Sequence, residues 1–546
     1  MRSESKIRAS VWIAIIAAIP LAFLALFFAW PVGAMLWRGL SSGVAGAGAE
    51  LASSPRTLRI IWQTVWMALA GTAASVALGV PGAYVLYRLR LPAAALWRGI
   101  VTVPFVLPTV VVGIAFRALF EGPLAFLGLQ QSTAAVVMAM VFFNYSVVVR
   151  TVGSMWAGLD SRQTEAARTL GASPWQAFRT VTLPQLMPAI AAAAALVFLF
   201  CSTAYGIVTA LGRPAQGTIE TEIYVQTVTY FNLDKAALLS LVQFVLVAAA
   251  LLASTRLTAR TETALKSSTR PPARPRRSDA PAIAVTALVI AYLIAPMLTL
   301  VLRSLRSGGA WSLANYQLLA AQGLDFAGGI TVAQALRHSL AIAADATLIS
   351  LAVGIPLAYV LSRRVQPGSG AALAQRLMDG FVLLPLGVST VTMGFGFLLT
   401  FASTPLARSP WLVPLAQGIV ALPLVVRAIV PAARAIEPRM REAAATLGAS
   451  PLRVALTIDL PLALRGIGLA VGFAFATSLG EFGATSFLAR ADYLTLPVLI
   501  IKLLGRPGAH NYGMALAGAV ILAAATALVM MAAEIVAARR KERCDA

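Results

Sequence analysis

The stretch EAARTLGASP at residues 165–174 returns almost unchanged as EAAATLGASP at residues 442–451. A Leu-Pro pair follows each copy at the same distance, at residues 183–184 and at residues 460–461. Self-similarity over so long a separation is typical of a chain built from two homologous units. The chain is therefore predicted to fold as two related halves.

A second pair of matching segments lies earlier in each half, where GVPGAYVLYR at 79–88 returns as GIPLAYVLSR at 354–363. The repeat places the first half at residues 1–253 and the second half at residues 280–546. Between them, residues 254–279 are rich in proline and arginine, which disfavours both a membrane span and a packed helix. This segment is predicted to be a basic linker.

The composition indicates a membrane protein. Of 546 residues, 59% are hydrophobic and only 12% are charged, about half the charged fraction of soluble domains. The first apolar run, residues 11–37, exceeds the roughly 20 residues that a helix needs to cross the hydrocarbon. About twelve such runs are expected from this length criterion. The prediction is an all-α membrane protein with six spans in each half.

The net charge of +22 is concentrated at the ends of the apolar runs, as expected when Lys and Arg stay on the cytoplasmic side. No basic face with interleaved aromatic residues accompanies it, which argues against nucleic acid as a partner. The N-terminus, linker and C-terminus are all basic and are predicted to be cytoplasmic. An even number of spans per half then makes the repeat parallel, with a pseudo-two-fold axis along the membrane normal.

The repeated polar segments, residues 159–187 and 436–464, are predicted to be helix-turn-helix loops on the membrane surface. In the first copy Gly171 is suited to end a short helix, and Ser173 with Pro174 is suited to start another. The small residues before the glycine allow another protein to approach closely. Self-packing does not require the same surface twice, so two copies favour a partner with two-fold symmetry.

This pattern resembles the EAA loop of ABC importer permeases, bacterial inner-membrane proteins in which the loop docks into a cleft of an ATP-binding subunit. The resemblance covers both halves. It implies an ATPase dimer on the cytoplasmic face and an extracytoplasmic binding protein that delivers the substrate. The docking residues that it implies are Glu165, Ala166, Ala167, Gly171, Glu442, Ala443, Ala444 and Gly448.

The fused form is similar to thiamine and ferric-iron permeases. Residues 211–224 look most like the thiamine branch, whereas SLGEFGAT at 478–485 resembles a stretch shared by iron, sulfate and molybdate permeases. Thiamine is the favoured substrate and ferric iron the alternative. An importer of sulfate, molybdate or polyamines and a secondary transporter are less favoured alternatives.

Glu481 is singled out because a carboxylate inside a span is costly and often functional. Its counterpart in the first half is Ala204, so the charge breaks the repeat. Glu481, Phe482 and Tyr205 are candidate pathway or gate residues. The alternative for Glu481 is a hydrated or paired carboxylate near the outer end of the helix. Glu220 is expected to be a solvated acid of an outside loop.

No catalytic or cofactor site is expected in this chain. There is no Gly-Lys dipeptide, so a Walker-type phosphate loop is excluded. The two His and two Cys residues are scattered, which gives no metal-binding pattern. The chain is predicted to be a transport subunit rather than an enzyme, with ATP and magnesium bound by the partner ATPase.

Overall fold

The structure, a computed structural model, is almost entirely helical in the part of the chain that it describes. The described residues are 16–42, 49, 53–160, 162–213, 217–262, 273–320, 330–363 and 368–545. The only strands among these residues form one short antiparallel hairpin, β1 (Arg306–Ser307) and β2 (Ala310–Trp311). The predicted all-α fold class is confirmed.

The first half combines long helices with shorter ones. In chain order they are α1 (Ile16–Ser42), α2 (Pro55–Arg88), α3 (Ala94–Val106), α4 (Thr109–Phe120), α5 (Thr133–Gly158), α6 (Arg162–Thr169), α7 (Pro174–Ser202), α8 (Tyr205–Leu211), α9 (Ile219–Tyr224) and α10 (Leu233–Glu262). A 3-10 turn lies at Ala125–Leu127, and π turns lie at Ala25–Ala29, Phe178–Thr182 and Val225–Thr229.

The second half repeats this order. Its helices are α11 (Ala280–Ser304), α12 (Ala314–Gln317), α13 (Val332–Leu361), α14 (Gly370–Leu383), α15 (Thr390–Phe401), α16 (Leu412–Arg434), α17 (Pro438–Thr446), α18 (Leu452–Leu479), α19 (Gly483–Leu488), α20 (Leu496–Leu504) and α21 (Ala509–Asp545). Short 3-10 turns lie at Arg277–Asp279, Leu318–Ala320, Leu384–Gly387 and Pro405–Arg408, and a π turn at Ala455–Asp459.

Local sequence signals explain where several helices begin. Ser54 precedes Pro55 at the start of α2, and its hydroxyl accepts a hydrogen bond from the Thr57 amide at 3.5 Å. Ser132 accepts in the same way from Ala135 at the start of α5, at 3.1 Å. These side chains satisfy amides that have no partner inside the helix.

The third span of each half is bent rather than straight. Among the described residues, ten helices are long and apolar enough to cross a membrane, and two bent pairs raise the number to twelve. The pair α3 and α4 bends by 103°, and the pair α14 and α15 by 98°. In the first half, Pro108 stands at the bend and holds the preceding residue in an extended conformation. Six spans per half follow if each pair counts once.

The two halves exchange their first helices. Helix α1 packs on α15 of the second half, and α11 packs on α4 of the first. The contact in the second half is close, since a Cβ added at Gly396 would lie 2.9 Å from the carbonyl oxygen of Pro31. At the reciprocal contact, Arg303 donates to the carbonyl of Ala118 at 2.9 Å. This reciprocal packing is what a two-fold relation between the halves produces.

The predicted boundary of the linker differs from the structure at its start. Helix α10 continues to Glu262 instead of ending at residue 253, because the residues after the span, STRLTARTE, retain good helix formers and contain no proline. Residues 263–272, the centre of the predicted linker, lie outside the described residues, as do residues 11–15 of the first apolar run.

Candidate functional site

The two repeated loops have the same backbone geometry. In each, a short helix (α6 or α17) ends at a glycine with a positive φ angle, which is +90° at Gly171 and +81° at Gly448. The backbone hydrogen bond that ends the helix is also the same. The Ala172 amide donates to the Ala167 carbonyl, and the Ala449 amide donates to the Ala444 carbonyl. This is the left-handed helix cap that glycine allows without strain.

The exposed faces of the two loops also match. In the first loop Glu165 and Ala166 are exposed and Ala167 is half-buried. In the second loop Glu442 and Ala443 are exposed and Ala444 is half-buried. The leucine before each glycine is almost fully exposed, at 89% for Leu170 and 88% for Leu447. A large apolar side chain presented twice at equivalent positions is typical of an interaction surface.

The loops differ in how they are attached to the helices behind them. In the second loop Asp459 accepts from Arg441 at 2.6 Å and from Arg363 at 2.5 Å. The positions of the first loop that correspond to Arg441 and Asp459 are Thr164 and Thr182, whose hydroxyls lie 3.4 Å apart. An ion-paired attachment in one loop therefore corresponds to a weak hydroxyl contact in the other.

A cavity of about 790 Å³ lies directly behind the second loop. Its lining includes Leu452 and Leu456 of α18, Ile429 of α16, the ion-paired Asp459, and Ile16 at the start of α1. The first described residue of the chain thus lies at the same end of the bundle as the second loop.

The candidate gate residues Tyr205 and Phe482 meet at the interface of the halves. They occupy corresponding positions of the repeat, one after each fifth span. Their rings stack with centroids 5.1 Å apart and an angle of 11° between their planes. Two equivalent residues in contact must lie close to the axis that relates the halves. The sequence singled out both residues but did not predict that they touch.

Glu481 lies beyond the end of α18, which terminates at Leu479. Its carboxylate accepts from the amides of Ala484 at 2.7 Å and Thr485 at 3.0 Å, and from the Thr485 hydroxyl. It therefore caps α19, where an acidic group is favoured by the amides and the helix dipole. It is 6% exposed. The carboxylate therefore lies buried in the break between α18 and α19, and not at the centre of a span.

Glu220 is not the solvated loop acid expected from the sequence. It is fully buried in α9, and its Oε2 atom accepts a hydrogen bond from Ser389 of the second half at 3.0 Å. The expectation was wrong because α8 and α9, each too short to cross a membrane, pack against the spans instead of lying in an open loop. Nothing in the local sequence distinguishes such helices from a polar loop.

No metal site is apparent in the part of the chain that the structure describes, where no three His, Cys, Asp or Glu side chains are grouped to hold an ion.

Comparison with known proteins agrees with this architecture. The profile of a family described as "binding-protein-dependent transport system inner membrane component" matches residues 75–265. The molybdenum transport system permease protein ModB of Escherichia coli (strain K12) is 35% identical over 200 residues, which cover 33% of this chain and 82% of that protein. The chain belongs to this family of multi-pass inner-membrane permease components.

Other relatives match over most of the chain. The thiamine transport system permease protein ThiP of Brucella abortus (strain 2308) is 28% identical over 529 residues, covering 93% of each protein. ThiP of Escherichia coli (strain K12) is 26% identical and covers 82% of this chain and 84% of that protein. A solved bacterial ABC transporter for alginate import gives a TM-score of 0.40 at 16% identity, covering 48% of this chain and 100% of that chain.

Proposed function

We propose that this chain supplies two permease halves of a thiamine importer, residues 1–253 and residues 280–546. The observation that carries the proposal is the pair of nearly identical loops, which expose the equivalent residues Leu170 and Leu447. Two copies of one docking surface fit a dimer of ATP-binding subunits, as the resemblance of the loops to EAA loops implies.

The thiamine assignment is supported by relatives named for thiamine transport that match along both halves. Import of an oxyanion, which the molybdenum permease relative would suggest, fits less well because Glu220 is buried at the interface of the halves. A buried carboxylate repels an anion and attracts a cation. Ferric iron, also a cation, remains the alternative to be tested.

The partners follow from the same proposal. An ATPase dimer binds the loops on the cytoplasmic face, and an extracytoplasmic binding protein delivers the substrate on the other face. The N-terminus, linker and C-terminus lie on the cytoplasmic side, supported by Ile16 and Ala273, which lie near the ends of α18 and α2 at the loop end of the bundle. The chain itself carries no catalytic residue and binds no cofactor, and ATP with magnesium is bound by the ATPase.

The proposal is tested by uptake in cells that lack this permease. Radiolabelled thiamine and ferric iron are supplied separately, and the affinity-tagged chain is purified to ask whether an ATP-binding subunit co-purifies. Loss of thiamine uptake, restored by the wild-type chain, is the expected result. Loss of iron uptake alone would replace thiamine by iron, and failure to retain an ATPase would contradict the role of the loops.

A further inference from the structure

Four aromatic rings form a continuous cluster where the two halves meet, with two rings from each half. Tyr205 stacks on Phe482 with centroids 5.1 Å apart. Tyr224 lies 6.0 Å from Tyr205, and Phe487 lies 5.3 Å from Tyr224. Separation of the halves would part the first pair and expose aromatic faces from both sides.

A carboxylate lies beside this cluster with one oxygen unsatisfied. Glu220 precedes Tyr224 by four residues in α9, so both side chains lie on one face of that helix. Glu220 is 0% exposed. Among the described residues its Oε1 atom has no hydrogen-bond partner within 3.5 Å. The Gln243 amide lies near Glu220 and donates one hydrogen to the carbonyl of Ser202 at 3.1 Å. A buried carboxylate left in this state is costly unless a cation or donor meets it.

Helix α9 contains a second buried acid that is treated differently. Glu222 is 6% exposed, but it pairs with Arg56 at 3.3 Å and accepts from Gln226 at 2.7 Å. Two residues apart on a helix, Glu220 and Glu222 point to different faces. Glu222, which faces away from the aromatic cluster, therefore has partners for both carboxylate oxygens. Glu220, which faces the cluster, has a partner within 3.5 Å for only one.

The negative charge is confined to one side of the interface. Glu220 accepts from Ser389, and Glu481 lies near the adjacent Thr390, both at the start of α15. The corresponding positions of the other half hold no acid: Ala204 stands for Glu481, and Pro497 stands for Glu220. A site with paired rings but a one-sided charge suits one flat molecule with a positive charge at one end.

We propose that Tyr205, Tyr224, Phe482 and Phe487, together with Glu220, are the closed form of a transit site for an aromatic cation. When the halves separate, the rings stack on the substrate and attract its charge through their faces. Glu220 then pairs with the cationic ring. This inference rests on the proposed import function and assigns the residues that would recognise the substrate inside the membrane.

The test uses the permease purified with its ATPase and reconstituted with the binding protein. Thiamine uptake is compared for wild type, Glu220→Gln, Tyr205→Leu and Phe482→Leu, with Glu222→Gln as the matched control. Equilibrium binding of radiolabelled thiamine and of N-methylpyridinium to the vanadate-trapped complex, without the binding protein, is measured in parallel. ATPase activity without the binding protein verifies folding and assembly of each variant.

Uptake and cation binding are expected to fall by about tenfold or more in Glu220→Gln and Tyr205→Leu, whereas Glu222→Gln stays within about twofold of wild type. If wild type imports thiamine and the site variants do so equally well, the site is overturned and the import function stands. If wild type imports no thiamine, the import function fails, and binding of N-methylpyridinium alone decides the site. No binding by wild type, or equal binding by Glu220→Gln, would overturn the site in that case.

Discussion

The two repeated loops differ far more in their attachment than in their surface. Ten-residue motifs of nearly identical sequence give the same glycine cap and the same exposed leucine. Behind the second loop, however, Asp459 joins Arg441 and Arg363. At the corresponding positions of the first loop the neutral hydroxyls of Thr164 and Thr182 meet, beside a hydrogen bond from Gln185 to Gln163 at 2.6 Å. The exposed surface is thus duplicated, while the ion-paired attachment to the helices is not.

This difference indicates that the halves need not transmit force equally. A charge-assisted, partly buried connection is stiffer than a contact between two neutral hydroxyls. Movement of an ATPase subunit against the second loop would be passed to α13 through Arg363, while the first loop could yield. The predictions that follow test this asymmetry and the symmetry of the surface, in order of decreasing expected effect.

Asp459→Asn is expected to have the largest effect. It leaves Arg441 and Arg363 partly buried without a counter-charge, which costs about 3 kcal/mol of unfolding free energy. The corresponding change in the first loop, Thr182→Val, removes one weak contact and costs less than about 1 kcal/mol. Thermal unfolding of both variants in detergent compares them. Equal losses would show that the two attachments are equivalent after all.

Gly171→Val and Gly448→Val are expected to have equal effects, since both glycines have positive φ angles. A β-branched residue in this conformation costs about 1–2 kcal/mol and would displace the loop from its partner. Asn tolerates the conformation, so Gly171→Asn and Gly448→Asn serve as matched controls. Retention of the ATPase on the tagged permease is the measurement. A defect confined to one loop would contradict the common geometry.

Leu170→Asp and Leu447→Asp test the surface without disturbing the fold. Both side chains are almost fully exposed, so unfolding temperatures stay unchanged, while burial of a charge at the interface weakens ATPase binding about tenfold. Leu313→Asp, on an exposed leucine outside the loops, is the control. Unaltered binding in both loop variants would place the docking surface elsewhere.

The smallest effect is expected when the first loop is given the residues of the second. The double substitution Thr164→Arg with Thr182→Asp would create a partly exposed ion pair worth less than about 1 kcal/mol. This double variant tests how ATP hydrolysis is coupled to uptake, and not the stability of the protein. We expect ATP hydrolysis to become more tightly tied to uptake, measured as ATP consumed per substrate imported. A looser ratio would argue that the flexible first loop is required.

Sequence reasoning reached the repeat and the fold class because each leaves a local or periodic signal. Identical motifs, long apolar runs and a glycine before Ser-Pro can all be read without knowing distant contacts. Arg117 and Glu121, four residues apart in the sequence, form an ion pair at 2.8 Å. Such a pair can be predicted from the sequence because residues four apart on a helix are neighbours.

The burial of Glu220, Glu222 and Glu481 could not be predicted from the sequence in the same way. Glu220 and Glu222 occur in a polar hexapeptide, and only the packing of α9 against spans from both halves buries them. Glu481 was placed inside a span because the apolar run continues through it, whereas the helix ends at Leu479. The bends at Pro108 and before Thr390 depend on packing that no single segment specifies.

The sequence by itself determined that the chain is a duplicated, multi-pass membrane protein with two nearly identical loops, since these properties depend on composition, length and repetition. Tertiary structure alone decided that Tyr205 meets Phe482 and that Glu220 is buried. It also decided that one loop is attached by ion pairs and the other by neutral side chains. The physical reason is that each of these contacts joins residues far apart in the chain, and their energies depend on burial that only the assembled helices create.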